Sequence, residues 1–376
     1  METHKKIRVL HIVQSPGGVE RYIKMLLKYM DHNKYENILI GSYEYKNKNY
    51  IGLVDGFTNV DMVRSISFTK DFKAILKVRK LIKKYNPDLL YLHSSKAGAI
   101  GRIANIGLHK RCIYNPHGWA FNIRGNKIAQ FIFIIIEKIL AFFCDAIICI
   151  SKAEEESALS KKICSKEKIR VIYNGIDISE YKADFGKLSR KALGITDTAY
   201  VVGMVGRLSK QKAPEIFVKA AKLIKKQIPE AFFLMVGDGA DKDKIKHLIS
   251  ESGLEDSFYI SGWVSHPLAY IQLFDVAVLL SRWEGFGLVL PEYMLANKPI
   301  IATRVDAIPE IITDKVNGLL VTVDDYEDVA KNVMLIYKDK QLRESLTSKN
   351  KHTVFEKFNI ERVAREHELL FKELAK

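Results

Sequence analysis

Residues 276–297 read Val-Ala-Val-Leu-Leu-Ser-Arg-Trp-Glu-Gly-Phe-Gly-Leu-Val-Leu-Pro-Glu-Tyr-Met-Leu-Ala-Asn. The apolar run Val276–Leu280 predicts a buried strand. Gly285 and Gly287 predict a sharp turn where the backbone approaches a ligand with no Cβ in the way. Leu288 to Asn297 has a helix pattern, and Pro291 fits it only in the first turn. Strand, glycine turn and helix in that order form a unit of a parallel α/β sheet. The free N–H groups of the first helical turn would favour an anion. Glu284 and Glu292, on either side of the turn, add acceptors for hydroxyl groups. The stretch therefore predicts a site for a polyhydroxylated anion.

The same rhythm runs outward in both directions. In the first half, Ile7–Val13, Asn37–Ser42, Leu89–Leu92, Cys112–Asn115, Ala146–Ile150 and Arg170–Tyr173 read as strands. Helices are expected at Val19–Met30 and from Ala97. The second half restarts with strands at Tyr200–Val205, Ala231–Val236, Phe258–Ser261, Val276–Leu280, Pro299–Thr303 and Gly318–Val321. Helices Ala213–Gln227 and Lys242–Glu251 alternate with them. Two doubly wound parallel sheets follow, with a hinge near Ser179–Leu193 and ligands in a cleft at the carboxyl ends of the strands. A last helical stretch, Ile360–Ala375, has no strand to pair with.

The 376 residues, 48% apolar, suit two cores. The four cysteines (Cys112, Cys144, Cys149, Cys164) form no Cys-x-x-Cys pair, which argues against a disulfide or zinc framework and for a reducing cytoplasm. The charged N-terminus, running directly into a strand, does not read as a signal peptide. Phe131–Ile150 is interrupted by Glu137, Lys138 and Asp145, too often for a membrane span. We read it as a buried helix followed by a buried strand; the alternative is a helix that also dips into a membrane surface.

Charge is uneven. Residues 1–180 hold 30 Lys/Arg against 17 Asp/Glu, and the remaining 196 hold 29 against 27. A basic first half implies an acidic partner: nucleic acid, an anionic membrane surface or a phosphorylated acceptor. In Lys70–Lys84 an apolar stripe of Phe72, Ile75, Leu76, Leu81 and Ile82 would leave five lysines outside. That face is either an ordinary solvated one or a membrane-facing patch.

The remaining motifs fall in strand-to-helix turns. Pro16-Gly17-Gly18 opens the first helix but does not match the dinucleotide fingerprint. Gly206-Arg207 and Lys212 follow the first strand of the second half; two cations there call for an anion, and a diphosphate fits. Gly237-Asp238-Gly239 closes another strand. Asp241-Lys242-Asp243 resembles a metal-binding D-x-D, but acidic residues are common at helix starts. His117-Gly118 would set an imidazole at the cleft floor. In His93-Ser94-Ser95-Lys96, Ser94 and Lys96 could hold an acceptor phosphate, with helix capping as the plainer reading. Asn174-Gly175 reads as a turn.

With these residues in hand, the chain resembles the retaining glycosyltransferases of family 4, over nearly its whole length. The motifs occur in the family's order, and His-Ser-Ser-Lys-Ala-Gly and Lys-Ala-Pro-Glu look like its capsular and exopolysaccharide branch. The resemblance implies the GT-B fold: two Rossmann-like domains facing across a cleft, 1–182 for acceptor and 183–357 for donor, with a C-terminal helix, 358–376, crossing back to the first. Glu284 would bind donor-sugar hydroxyls and Glu292 the ribose. Arg207 and Lys212 would neutralise the diphosphate. Gly18, Gly206, Gly237, Gly285 and the amides of Phe286, Gly287 and Leu288 would approach phosphate or sugar. His117 would contact the sugar, and loops near Gly262-Trp263 would choose the base. Gly17, Ser94 and Lys96 would serve the acceptor.

The expectation is a metal-independent transferase with no cofactor. It would take a nucleotide sugar (UDP-sugar favoured) and a polyprenyl-diphosphate-linked or other anionic acceptor. It would act from the cytoplasm at the inner face of the membrane. A GDP-mannose-type mannosyltransferase, another GT-B enzyme (epimerase or phosphorylase) and a basic nucleic-acid-binding protein are the alternatives. The last lacks a reader motif, so no nucleic-acid partner is expected.

Overall fold

The computed structural model describes residues 5–182 and 188–376. Seven parallel strands form the first sheet: β1 (Ile7–Val13), β2 (Tyr35–Gly41), β3 (Gly56–Asn59), β4 (Leu89–His93), β5 (Arg111–Asn115), β6 (Ala146–Cys149) and β7 (Ile169–Val171). Their order is β3-β2-β1-β4-β5-β6-β7, which reverses direction between β1 and β4. Helices Gly18–Tyr29 and Ile360–Leu374 cover one face around Tyr22, Leu26, Val363 and Phe371. Helices Phe68–Tyr85, Ser95–Asn105 and Lys127–Leu140 cover the other. Strand β3 is absent from the sequence expectation. Its Gly-Phe-Thr-Asn has no apolar run, because an edge strand needs only a partner's backbone and all four residues stay half-buried.

The small-residue helix Ser95–Asn105 lies tight on the sheet. A Cβ on Gly98 would stand 2.3 Å from the Tyr114 ring, and one on Gly101 2.4 Å from Leu92. Its Arg102, fully buried, donates to Glu137 at 2.8 Å, and Tyr114 donates to the same carboxylate at 2.9 Å. Glu137 interrupts the apolar run because it answers this buried cation.

Two expectations about this face are corrected. Helix Lys127–Leu140 is not buried: Ile128, Phe131, Ile132, Ile135 and Ile139 are exposed, and Phe142 just after it is 82% exposed. Only Glu137 and Leu140 of the helix are buried. In helix Phe68–Tyr85 the core stripe is Ala74, Val78, Leu81 and Ile82. Phe72 and Leu76 instead join Phe68 in a second, outward stripe at four-residue spacing.

The second sheet has six parallel strands: β8 (Tyr200–Val205), β9 (Ala231–Val236), β10 (Phe258–Ile260), β11 (Val276–Leu279), β12 (Ile300–Thr303) and β13 (Leu319–Val321). Their order is β10-β9-β8-β11-β12-β13, with the reversal between β8 and β11. Helices Pro214–Gln227 and Tyr326–Lys338 pack together over Val202, Met204 and Phe233. Helix Val289–Leu295, shorter than expected, is buried along its whole length, and Pro291 lies in its first turn.

The chain divides into two compact units, Met1–Ile176 with Asn359–Lys376, and Asp177–Phe358. It leaves the first unit at Ile176 and re-enters at Asn359, and the Ile360 N–H donates to the Ile176 carbonyl at 3.0 Å. Gly175 admits this crossing, since a Cβ there would lie 2.8 Å from the Asn359 carbonyl carbon. The expected boundary at 182/183 and part of the 179–193 segment touch residues 183–187, which lie outside the described residues.

Candidate active site

In the second unit, the loops after β8 and β11 stand at the strand-order reversal, where open α/β sheets take their ligands. The Lys212 ammonium forms an ion pair with the Glu284 carboxylate, which also accepts from the Ser281 hydroxyl at 3.0 Å. The two charged side chains are only 15% and 10% exposed, so each neutralises a charge that would be costly alone. The Glu284 N–H donates to Asp306 at 2.8 Å, and the Thr303 hydroxyl to the Ser281 carbonyl at 2.6 Å.

Arg282 ties these loops together. Its guanidinium pairs with Glu215 and Asp324 and donates to the Lys210 carbonyl at 2.7 Å. Gln211 donates to the Trp283 carbonyl at 2.9 Å, and the Arg282 N–H to the Gln211 carbonyl at 2.8 Å. Arg207 is exposed and pairs with no carboxylate among the described residues.

Glycines make the loop crossings possible. Gly237 has φ 148°, and a Cβ there would lie 2.0 Å from the Gly206 carbonyl oxygen. Gly237 also bridges Gly262, so the turns after β8, β9 and β10 share one corner. At Gly287 φ is 84°, which sets the turn before the buried helix. Phe286 is buried against Phe358 and anchors that turn. Glu292, on the helix, is 1% exposed. Asp241 stands directly before helix Lys242–Glu251, while Lys242 pairs with Asp238 at 2.8 Å.

In the first unit, Gly17 (φ 112°) starts helix Gly18–Tyr29, and a Cβ on Gly18 would meet nothing within 4 Å. His117 follows β5 with φ 51°, and Ser94 follows β4 with φ 71° and ψ 159°. Such conformations cost roughly 1–3 kcal/mol each in residues other than glycine. Between them, His117 Nε2 and His93 Nδ1 lie 3.0 Å apart. His93 Nε2 lies 3.4 Å from His11 Nδ1, and His11 Nε2 3.1 Å from Asn37 Oδ1. Burial holds all of these imidazoles neutral: it lowers His11 to about 4, His117 to about 3 and His93 well below the usual value.

The final helix supplies His367 to the same cluster. Its Nδ1–H donates to the Val363 carbonyl at 2.7 Å, and its Nε2 lies 2.9 Å from both the Tyr91 and the Tyr22 hydroxyl, with one lone pair to receive a proton from one of them. Burial lowers His367 to about 4.

The structure thus brings Gly206, Lys212, Gly237, Gly262, Glu284 and the 285–288 turn to one end of the second sheet. It sets Gly17, Gly18, Ser94 and His117 at the same end of the first. Lys96 is the exception. Its ammonium is taken by Asp71 at 2.5 Å and the Ser65 carbonyl at 2.9 Å, tying two helices together. Ser94 does not cap its helix either; no side-chain capping bond is made there. Sequence reasoning missed Ser281, Arg282, Gln211 and Asp306, which carry no motif. It also missed the roles of His11, His93 and His367. His11 and His93 sit on strands that turn out to be neighbours and His367 on the final helix, so no local pattern marked them.

The first unit matches the family described as Glycosyltransferase Family 4 over residues 16–180. The second matches Glycosyl transferases group 1 over residues 187–353. The chain is 30% identical over 273 residues to the O-antigen biosynthesis glycosyltransferase WbnH of Escherichia coli, covering 72% of this chain and 74% of that one. It is 29% identical over 368 residues to the E. coli UDP-Gal:alpha-D-GlcNAc-diphosphoundecaprenol alpha-1,3-galactosyltransferase, covering 95% of each. Anabaena HepE, solved with UDP-glucose, superposes with a TM-score of 0.84 over 98% of this chain and 100% of its own, at 22% identity. The chain belongs to the family 4 glycosyltransferases and has their GT-B fold.

Proposed function

We propose that this glycosyltransferase moves a sugar from a UDP-sugar to a lipid-linked saccharide in the synthesis of a bacterial surface glycan, with retention and without a metal. The observation that carries the reading is the Lys212–Glu284 pair at the strand-order reversal of the second sheet. It stores one cation for a diphosphate and one carboxylate for sugar hydroxyls, each neutralised until a donor arrives. Arg207, exposed in the same loop after β8 as Lys212, adds a second cation for the leaving diphosphate. Glu292 takes the ribose. The leaving group departs as an anion, so positive charge serves it better than a general acid. Attack occurs on the same face, and the leaving phosphate takes the acceptor's proton. The name of the E. coli relative supports UDP and a polyprenyl-diphosphate acceptor, and the UDP-glucose held by HepE supports the same donor class.

The outward stripes of the first unit suit a membrane-borne acceptor. Phe68, Phe72 and Leu76 lie on one helix, and Ile128, Phe131, Ile135, Ile139 and Phe142 on or beside another. Both helices pack against helix Ser95–Asn105, which adds exposed Ile103, with exposed Ile106 directly after it. Exposed Lys73, Lys77 and Lys80 lie on the first of these helices, and exposed Lys127 begins the second. Among the described residues no helix is long and apolar enough to cross a membrane. Exposed apolar residues with lysines on the same helices suit the membrane interface and attract anionic lipid. The enzyme would then sit on the inner face of the membrane.

A thermal-shift screen of UDP-, GDP-, dTDP- and CDP-sugars tests the donor, since stabilisation follows affinity. A UDP-sugar should give the largest shift. A larger shift with a GDP-sugar overturns the base assignment. A sugar trapped covalently on Glu284 as a competent intermediate, seen by mass spectrometry, overturns the same-face mechanism.

A further inference from the structure

We propose that His93 and His11 are positioning residues that fix the tautomer of His117, so that His117 presents an unprotonated Nδ1 to a sugar hydroxyl. This rests on the glycosyltransferase function proposed above and on the expectation, implied by the family resemblance, that His117 contacts the sugar; it goes beyond both.

A neutral imidazole has one donor and one acceptor nitrogen, so a file of imidazoles carries a single polarity. Asn37 turns its Oδ1, which can only accept, to this end of the file, and its buried Nδ2 has no partner. His11 therefore donates from Nε2 to Asn37, at 3.1 Å. Its Nδ1 then accepts from His93 Nε2–H, and His93 Nδ1 accepts from His117 Nε2–H. The proton of His117 is committed inward. Its Nδ1 makes no hydrogen bond among the described residues and keeps a lone pair for an incoming hydroxyl.

The backbone of His117 is held separately. Its N–H donates to Asn115 Oδ1 at 3.0 Å. That commits the Asn115 amide to donate to the Tyr91 oxygen at 3.2 Å, and Tyr91 to donate to His367. His367 ends this second file on the Val363 carbonyl, which can only accept. The edge of the Tyr22 ring closes on His117, with ring centroids 4.8 Å apart. Positive φ at both His117 and Ser94 flanks the His93–His117 bond. Backbone strain on both sides of one hydrogen bond marks that bond as the feature the surrounding structure enforces.

The test is a two-bond ¹H–¹⁵N spectrum of the ¹⁵N-histidine-labelled full chain near neutral pH, with no ligand present. His117 is assigned by its loss in His117→Gln. The exposed His247 and His352 serve as internal references for an averaged tautomer. His117 should carry its proton on Nε2 alone. A proton on Nδ1, or an average like that of the references, overturns the proposal. In His93→Phe, shown folded by circular dichroism, His117 should move to the averaged pattern; an unchanged pattern also overturns it. Should that variant not fold, the wild-type spectrum decides alone. With a turned-over UDP-sugar, His93→Phe should lower kcat by about tenfold, the worth of one lost hydrogen bond, with KM nearly unchanged. Failure of every donor would sink the proposed function while leaving the spectra to judge the tautomer.

Discussion

At the carboxyl end of the second sheet, ions hold the loops: Lys212 with Glu284, Arg282 with Glu215 and Asp324, Lys242 with Asp238. At the same end of the first sheet, neutral rings do so: His11, His93, His117 and His367 with Tyr22 and Tyr91. The ionic end lies in loops and is partly wet, so its charges can change partners when an anionic ligand arrives. The neutral end draws on strands, two helices and one loop and is largely dry, so its groups can be oriented but not easily charged. One topology thus carries two kinds of site: one suited to a diphosphate, the other to a hydroxyl.

The sharpest way to break this contrast is at Lys212. Lys212→Ala removes a preorganised cation and leaves Glu284 alone, and kcat should fall by roughly 10²–10³, about 3 kcal/mol in the barrier. Glu284→Gln should also slow turnover, whereas Glu292→Gln should act mainly on KM. Equal, purely KM effects from the two glutamate variants would undo their division of labour.

Next come the glycines. Gly237→Ala drives a Cβ into the Gly206 carbonyl and should cost about 3 kcal/mol in urea denaturation. Gly18→Ala meets open space and should shift stability by less than about 0.5 kcal/mol while weakening ligand binding. A Gly18→Ala variant as unstable as Gly237→Ala would contradict the open site in the first unit.

Acid separates the two ends. The folded-state values of His11 and His367 are lowered to about 4 from 6.5. Both groups are fully buried, so below pH 6.5 the unfolded chain binds protons that the folded chain refuses. Each therefore contributes stability that is complete above pH 6.5 and lost as pH falls toward about 4. The slope is about 1.4 kcal/mol per pH unit for each group. Hydrogen exchange at stepwise lower pH should show the first unit loosening before the second; the reverse order would break the comparison.

The smallest effect is at the surface. Phe131→Ser with Phe142→Ser should reduce binding to anionic vesicles severalfold and leave the thermal midpoint within a few degrees. Added salt should weaken what remains. Binding that ignores both the substitutions and salt would remove the membrane reading.

Much of the fold was legible. Strands Ile7–Val13, Tyr200–Val205 and Ala231–Val236 begin and end where the apolar runs do. Helix Lys242–Glu251 likewise follows its pattern. These elements obey local rules. Strand β3 does not, because an edge strand draws its order from β2 and not from its own side chains. The exposed apolar face of Lys127–Leu140 was misread for a related reason: hydrophobicity all round a helix predicts burial, and only its neighbours reveal which side has none. Lys96 looked available in sequence, and Asp71 claims it from another helix.

The sequence alone determined the alternation of strand and helix, the glycine turns, and the carboxylates and cations set in them. Those features depend on residues within a few positions of one another. Strand order decided the rest. Placing β1, β4 and β5 side by side brought His11, His93 and His117 into one file, though they are far apart in the chain. Folding the last helix against Tyr22 and Tyr91 added His367. A hydrogen bond needs two groups within about 3 Å, and for groups this far apart in sequence only the tertiary structure says which two will meet.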